Sequence, residues 1–324
     1  MANAAPVTVV TGAAGFAGSH LLDLLTGNGA PPVGPGVIVA WHRPGGTPAP
    51  YGSNATWEAV DLLDRAAVIE AVARLRPDVV YHCAGAAHVG RAWDSTEPAL
   101  AINVLGTYHL LDALGAARVR ARVLIASSAL VYHHSNSALT EDAALVPTSP
   151  YGVSKLAQEM LGERATRDGL NVTIARAFNH VGPRQDPFFA ASGFARRIAD
   201  IEAGRWEPEI AVGNLDAQRD LTDVRDTVRA YHAIIEKGRS GRAYNVCSGR
   251  PVVIRDLLEM LRARARVPIR VRVDPSRFRP NDTPVLLGDP RRIHDELGWE
   301  PRVPLERTLD DLLDYWRDQS AHLL

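Results

Sequence analysis

Three glycines, Gly12, Gly15 and Gly18, stand between an apolar, β-branched run at Val7–Thr11 and a helix-like stretch at Gly15–Thr26. In Thr11-Gly-Ala-Ala-Gly-Phe-Ala-Gly18 the first glycine permits a tight turn out of a strand. The second lets a ligand backbone or pyrophosphate approach closely, and the third lets the helix lie against the strand. The helix start behind them offers free N–H groups and the positive end of a dipole, which together suit a phosphate. Gly12, Gly15, Phe16 and Ala17 are therefore candidate dinucleotide-binding residues. The motif admits only folds that begin with a strand running directly into a helix.

The pattern continues in that sense. Strands are expected at Val37–Trp41, Trp57–Val60, Val79–His82, Val123–Ser127 and Val172–Ala177, with helices at Asp64–Leu75, Pro98–Ala117 and Pro150–Asp168. Alternating strands and helices imply an α/β chain with a Rossmann-type doubly wound parallel sheet. Beyond Phe178 the rhythm changes to helices near Phe194–Ala203, Val224–Glu236, Ile254–Ala265 and Leu305–Arg317, mixed with short extended pieces. A smaller mixed α/β C-terminal substrate domain is expected there, over the carboxyl edge of the sheet. The division places residues 1–178, with a returning segment near 215–247, in the dinucleotide-binding domain. Residues 179–214 and 248–324 form the substrate domain.

Charge argues against some partners. A net charge of −1 and 23% charged residues, with no basic block, speak against nucleic acid and membrane surfaces. Cys83 and Cys247 lack metal-type spacing, so neither a metal site nor a disulfide scaffold is expected. The N-terminus shows no charged leader and no long apolar run, so a soluble cytoplasmic protein is expected.

Lysine is nearly absent: of 36 Lys and Arg residues, only Lys155 and Lys237 are lysines. Lys155 lies four residues after Tyr151, a spacing that puts both side chains on one helix face. A phenol titrates near ~10, and an adjacent cation lowers that value. Serines 127 and 128 close the preceding strand, where a hydroxyl is able to hydrogen-bond a substrate carbonyl. The second strand ends Ala40-Trp41-His42-Arg43 without the acid that binds ribose hydroxyls in NAD sites. Arg43, with His42, is instead suited to a 2′-phosphate, which favours NADPH over NADH.

Together these residues resemble the extended short-chain dehydrogenase/reductase family, over essentially the whole chain. The resemblance implies that Ser128, rather than Ser127, is the catalytic serine, that Tyr151 is the acid/base, and that Lys155 holds the nicotinamide ribose and depresses the tyrosine pKa. It places Asp61, Leu62 and Ala84 around the cofactor and gives Asn103 a supporting role toward the lysine or a water. Sugar-nucleotide 4,6-dehydratases of the family keep a glutamate two positions after the serine, and GDP-fucose synthases a cysteine. Here that position is Leu130, which leaves no carbon-acid base.

Two later segments, Ala177–Gln185 and Gly213–Asp220, resemble GDP-mannose-processing members. That likeness implies that Asn179, Arg184, Arg219, Arg279 and Asp282 bind a sugar nucleotide, Arg219 and Arg279 through its diphosphate. Tyr132-His133-His134 departs from the family, which usually has glycine after the tyrosine. The implied activity is NADP(H)-dependent reduction of the C4 ketone of GDP-4-keto-6-deoxy-D-mannose to GDP-D-rhamnose, with NAD(H) as the other cofactor. The alternatives are a 4-epimerase retaining NAD and a non-catalytic dinucleotide-binding protein. The resemblance also implies a homodimer or homotetramer, paired through Pro98–Ala117 and Pro150–Asp168, whose Val153, Leu156 and Met160 read equally as apolar contacts or as core.

Overall fold

A computed structural model describes residues 5–27, 36–46, 54–86, 96–278 and 283–321. The first half runs β1 (Val7–Thr11), α1 (Phe16–Thr26), β2 (Val37–His42), β3 (Thr56–Ala59), α2 (Arg65–Leu75) and β4 (Val79–His82). It continues with α3 (Thr96–Leu100), a π-turn (Ala101–Leu105), α4 (Gly106–Ala116), β5 (Arg122–Ser128), α5 (Pro150–Arg167) and β6 (Asn171–Ala177). Each strand and helix expected in this half is present, with ends shifted by a residue or two.

Local chemistry explains the helix starts. Asp64 caps α2 by accepting from the N–H groups of Ala66 and Ala67. Ser149 caps α5 by accepting from Gly152, and Pro150 occupies the first helical position, where a missing N–H costs nothing. The Thr96–Ala116 segment is long and apolar enough to cross a membrane by length and composition alone. Its Leu110, Leu111 and Leu114 are buried against the sheet, as in the core helix of an α/β domain.

Seven strands form the main sheet in the order β10-β6-β5-β4-β1-β2-β3, and every pair is parallel. The seventh strand, β10 (Ala243–Val246), returns from late in the chain to pair with β6. Apolar clusters cover both faces, as a parallel sheet requires. The chain reverses its winding between β1 and β4, so a crevice opens at the carboxyl ends of those strands.

The remaining elements are β7 (Asn179–Val181), α6 (Ala190–Glu202), β8 (Glu209–Val212), β9 (Gln218–Asp223), α7 (Val224–Lys237), β11 (Pro251–Val253), α8 (Ile254–Arg262), β12 (Arg270–Val273), β13 (Val285–Leu286), α9 (Arg291–Leu297) and α10 (Leu305–Ala321). Strand β9 is flanked by β11 and β13 and also pairs with β7, while β8 pairs with β12. Helices α6, α8 and α10 close around this region with their own apolar core, including Ile198, Leu258 and Leu312. Helix α6 begins four residues before the expected Phe194. Gly193 interrupts the apolar pattern in the sequence, yet its N–H bonds the Phe189 carbonyl at 2.7 Å. A side chain there would meet the Pro187 oxygen at 2.6 Å.

Candidate active site

The carboxyl ends of β4, β1, β2 and β3 lie side by side, and the expected cofactor residues follow them. Gly12 has φ +65°, and a Cβ there would lie 2.6 Å from the backbone of Ala84, just after β4. At Gly18 a Cβ would lie 2.2 Å from the Gly12 carbonyl. Both positions exclude any side chain, so turn, helix and neighbouring strand close into a backbone cradle. No side chain caps α1 at Gly15, so its first-turn N–H groups, beginning with Phe16 and Ala17, face the crevice without a capping partner. A cradle of this kind fits a dinucleotide pyrophosphate.

Around the cradle, Arg43 is exposed after β2 and has no ion-pair partner among the described residues. Asp61 accepts from the Leu63 N–H at 2.9 Å, shaping the turn after β3, and Leu62 is buried beneath it. The Phe16 ring stacks on His180 at 5.4 Å and 7°, which ties the first βα turn to β7.

Strand β5 delivers Ser128 to the same edge. Its hydroxyl accepts from the Leu130 N–H at 3.2 Å, opening a short 3₁₀ turn over Ala129–Val131. Tyr151 sits in the first turn of α5 and Lys155 one turn further, with Nζ 5.9 Å from the phenol ring centroid. The ammonium donates to the Ala126 carbonyl at 2.8 Å and to Gln158 Oε1 at 2.9 Å. Sequence reasoning expected Lys155 to depress the tyrosine. Instead burial pushes the phenol up to about 12, with the Ser128 hydroxyl acting in the opposite sense. Burial also pushes Lys155 down to about 8, with Cys83 and Glu159 partly holding it up. The reason is that Lys155 is buried and Tyr151 half-buried, which disfavours both charged forms, while the ammonium turns to a carbonyl and an amide rather than to the phenol. At neutral pH the pair is a phenol beside an ammonium, a proton donor beside a cation.

The π-turn carries Asn103 into the interior beside them. Asn103 accepts from the Ala86 N–H at 2.9 Å and donates to Ser154 Oγ at 2.8 Å. A side chain at Gly85 would collide with Asn103 Oδ1 at 2.7 Å and crowd Lys155 Nζ at 3.3 Å. Gly85, which sequence reading passed over, is therefore the backbone lid above the lysine. Its only sequence signal is a glycine just past a strand end.

The expected substrate residues divide. Asn179, on β7, keeps a buried Oδ1 with no hydrogen-bond partner among the described residues. Arg219 lies on β9 beside it and donates to the Thr283 carbonyl at 2.7 Å. Asp220, the next residue, is buried and serves the scaffold, accepting from Ser248, Gly249 and Gly288. Arg184 has a left-handed backbone (φ +72°), and its guanidinium pairs with Asp23 on α1. Arg279 and Asp282 lie outside the described residues. His134 bonds Thr148 at 2.8 Å, and His133 donates its N–H to the Ala144 carbonyl, so both histidines hold a loop. Leu130 packs against an apolar cluster with Ala129, Val131 and Phe178.

Comparison with known proteins agrees with this geometry. The family model described as GDP-mannose 4,6 dehydratase matches residues 9–312. The chain is 35% identical to GDP-6-deoxy-D-mannose reductase of Pseudomonas aeruginosa, covering 96% of this chain and 97% of that one. The solved structure of RMD from Pseudomonas aeruginosa complexed with NADPH superposes with a TM-score of 0.83 at 32% identity, covering 97% of this chain and 99% of that one. UDP-glucose 4-epimerase from Thermotoga maritima, solved with UDP-glucose, gives a TM-score of 0.84 at 27% identity, with 97% and 99% covered. The glycine cradle, the Ser-Tyr-Lys edge and these matches lead to one placement: the chain belongs to the GDP-mannose 4,6-dehydratase family of extended short-chain dehydrogenases/reductases.

Proposed function

We propose that this protein uses NADPH to reduce the C4 ketone of GDP-4-keto-6-deoxy-D-mannose, giving GDP-D-rhamnose. The observation that carries the reading is the protonated Tyr151 beside Ser128 and Lys155, with only the apolar Leu130 where dehydratases of the family keep a base. Such a site can move one proton to a carbonyl oxygen but cannot abstract one from carbon. The chain is an oxidoreductase, and its similarity to the Pseudomonas aeruginosa reductase, solved with NADPH, supports the substrate and cofactor chosen.

The cradle of Gly12, Gly15 and the α1 N-terminus would hold the pyrophosphate, and Arg43 would meet the 2′-phosphate. When bound, the reduced nicotinamide supplies the hydride. Ser128 donates a hydrogen bond to the substrate carbonyl and draws electron density toward oxygen. Tyr151 gives its proton to that oxygen as charge develops, and the nearby Lys155 ammonium stabilises the phenolate left behind. Arg219 and Asn179 orient the nucleotide sugar over this edge. Two copies pair through α4 and α5.

The test is direct. Purified enzyme is supplied with GDP-4-keto-6-deoxymannose and NADPH or NADH, absorbance is followed at 340 nm, and the sugar product is identified. Reduction at C4 with NADPH preferred supports the reading. The epimerase relative defines the other outcome: interconversion at C4 by protein purified with tight NAD, needing no added cofactor, would replace it.

A further inference from the structure

Between α4, α5 and β4 a buried polar chain runs back from Lys155 through residues that the proposed reaction does not use. Lys155 Nζ donates to Gln158 Oε1 at 2.9 Å, and Gln158 Nε2 donates to Thr107 Oγ1 at 2.7 Å. Thr107 Oγ1 in turn donates to the Asn103 carbonyl at 2.6 Å and lies 2.8 Å from His82 Nε2. His82 Nδ1 lies 2.8 Å from Thr11 Oγ1, which also accepts from the Ala84 N–H at 3.2 Å. Gln158, Thr107, His82 and Thr11 have no exposed surface.

The direction of every bond follows from its two ends. An ammonium only donates, so Gln158 must present its carbonyl oxygen to Lys155. The Asn103 carbonyl only accepts, so the Thr107 hydroxyl must point to it. Gln158 Nε2–H and His82 Nε2–H then both donate to Thr107 Oγ1, and the Thr11 hydroxyl donates to His82 Nδ1. Only an amide fits between Lys155 and Thr107, because the link needs an acceptor at one end and a donor at the other. Leucine or methionine would fill the space but supply neither, and a carboxylate would lack the donor.

We infer that Gln158 is a positioning residue for Lys155: oriented by Thr107, its carbonyl and the Ala126 carbonyl take two of the ammonium's three N–H groups and leave the third for the cleft. This rests on the reading of Lys155 as the cation that supports proton donation by Tyr151. The ionisable groups around Nζ are His82 at the end of β4, Cys83 just after it, and Tyr151 and Glu159 from α5. Burial takes His82 down to about 3, Cys83 up to about 12 and Tyr151 up to about 12, and Glu159 is paired with Arg176. Near pH ~8, Lys155 is thus the member of this group that titrates.

The scarcity of lysine makes the inference measurable. The full-length protein labelled with ¹³Cε-lysine has two side-chain signals, from Lys155 and Lys237. Removing an acceptor from an ammonium disfavours its charged form, so Gln158→Met should lower the Lys155 midpoint by about one unit. Gln158→Glu, of the same shape, should raise it, and Lys237 should not move in either. The alkaline limb of kcat should shift in the same directions, with KM for the sugar nucleotide little changed. A folded Gln158→Met or Gln158→Glu whose Lys155 midpoint equals that of the wild type overturns the inference. Should the methionine variant fail to fold, the glutamate variant decides alone. If the midpoints move as expected but even the wild type reduces no keto-sugar, the proposed reaction fails and the placement of Lys155 by Gln158 stands.

Discussion

Glu159 and Arg176 form a bidentate ion pair between α5 and β6, with Arg176 Nη2 2.8 Å and Nε 3.1 Å from Glu159 Oε2. Both residues are buried, at 1% and 4% exposure. The pair also grips both flanks of the Ser128 turn. Ser127 Oγ donates to Glu159, and Arg176 Nη1 donates to the Tyr132 hydroxyl at 3.0 Å while its guanidinium packs 4.9 Å from that ring. Glu159→Gln leaves the Arg176 charge uncompensated, a change expected to cost about 3–5 kcal/mol. Replacing both residues by apolar ones of similar size should cost less than the single change. Denaturant unfolding of the two variants checks the order, and a milder loss in the single variant contradicts it.

Removing the phenol hydroxyl tests the proton donor. Tyr151→Phe should lower kcat by about 10²–10⁴ and leave GDP affinity nearly unchanged, because the ring and its packing remain. Steady-state rates and calorimetric titration with GDP are sufficient. Turnover like that of the wild type would remove Tyr151 from the mechanism.

The pH profile should identify Lys155 rather than Tyr151 as the group behind the alkaline limb. Lys155, pushed down to about 8, is an ammonium below that pH and neutral above it. The phenol, pushed up to about 12, keeps its proton throughout. Reduction should therefore fall as pH rises through about 8, because the cation that stabilises the phenolate is lost while the donor is still protonated. On the acid side, His20 at about 4 and His82 at about 3 are already neutral, so neither should impose a limb above pH ~5. A kcat/KM profile of the free enzyme with its alkaline midpoint above ~10 would exclude Lys155.

Much of this site is legible in the sequence because its requirements are local. Gly12 and Gly18 answer to a single turn of backbone, and Tyr151 and Lys155 to the pitch of one helix. What escapes is set by distant contacts. Gln158 looks like any helix residue until Thr107, 51 positions away, meets its amide. Arg184 has the motif of a substrate residue, but only the fold brings Asp23 beside it across 161 positions. Leu156 reads equally as a dimer contact or as core, and only its partial burial against the cluster around Val131 and Phe178 decides for the core. The pKa of Tyr151 escapes for a related reason, since its neighbour on the helix is visible in sequence and its burial is not.

Arg43 provides a test of cofactor choice that leaves the chemistry untouched. It is exposed just after β2 and has no ion-pair partner among the described residues. Arg43→Ala should raise KM for NADPH by about 10–100-fold, the range of one or two charge-assisted hydrogen bonds, and leave KM for NADH unchanged. Equal losses with both cofactors would assign Arg43 to general positive charge instead.

The outer faces of α4 and α5 carry the last prediction. Tyr108 (44%) on α4, Leu105 (51%) in the π-turn that leads into it, and Val153 (48%) and Met160 (61%) on α5 are exposed, and the two helices pack against each other. Val153 and Met160 are seven apart and therefore share one face of α5. Scattered apolar residues on a surface need no explanation, but a cluster on adjacent helices marks an interaction surface. Pairing of two copies across this face should be broken by Met160→Glu, because an unpaired carboxylate there loses several kcal/mol of hydration on burial. The dimer dissociation constant should rise by about 10²-fold or more, read by analytical ultracentrifugation over a concentration series. Tyr151, Lys155 and Gln158 face inward from the same helix, so NADPH binding should persist in the monomer. An assembly unchanged by Met160→Glu would place the contact on another face.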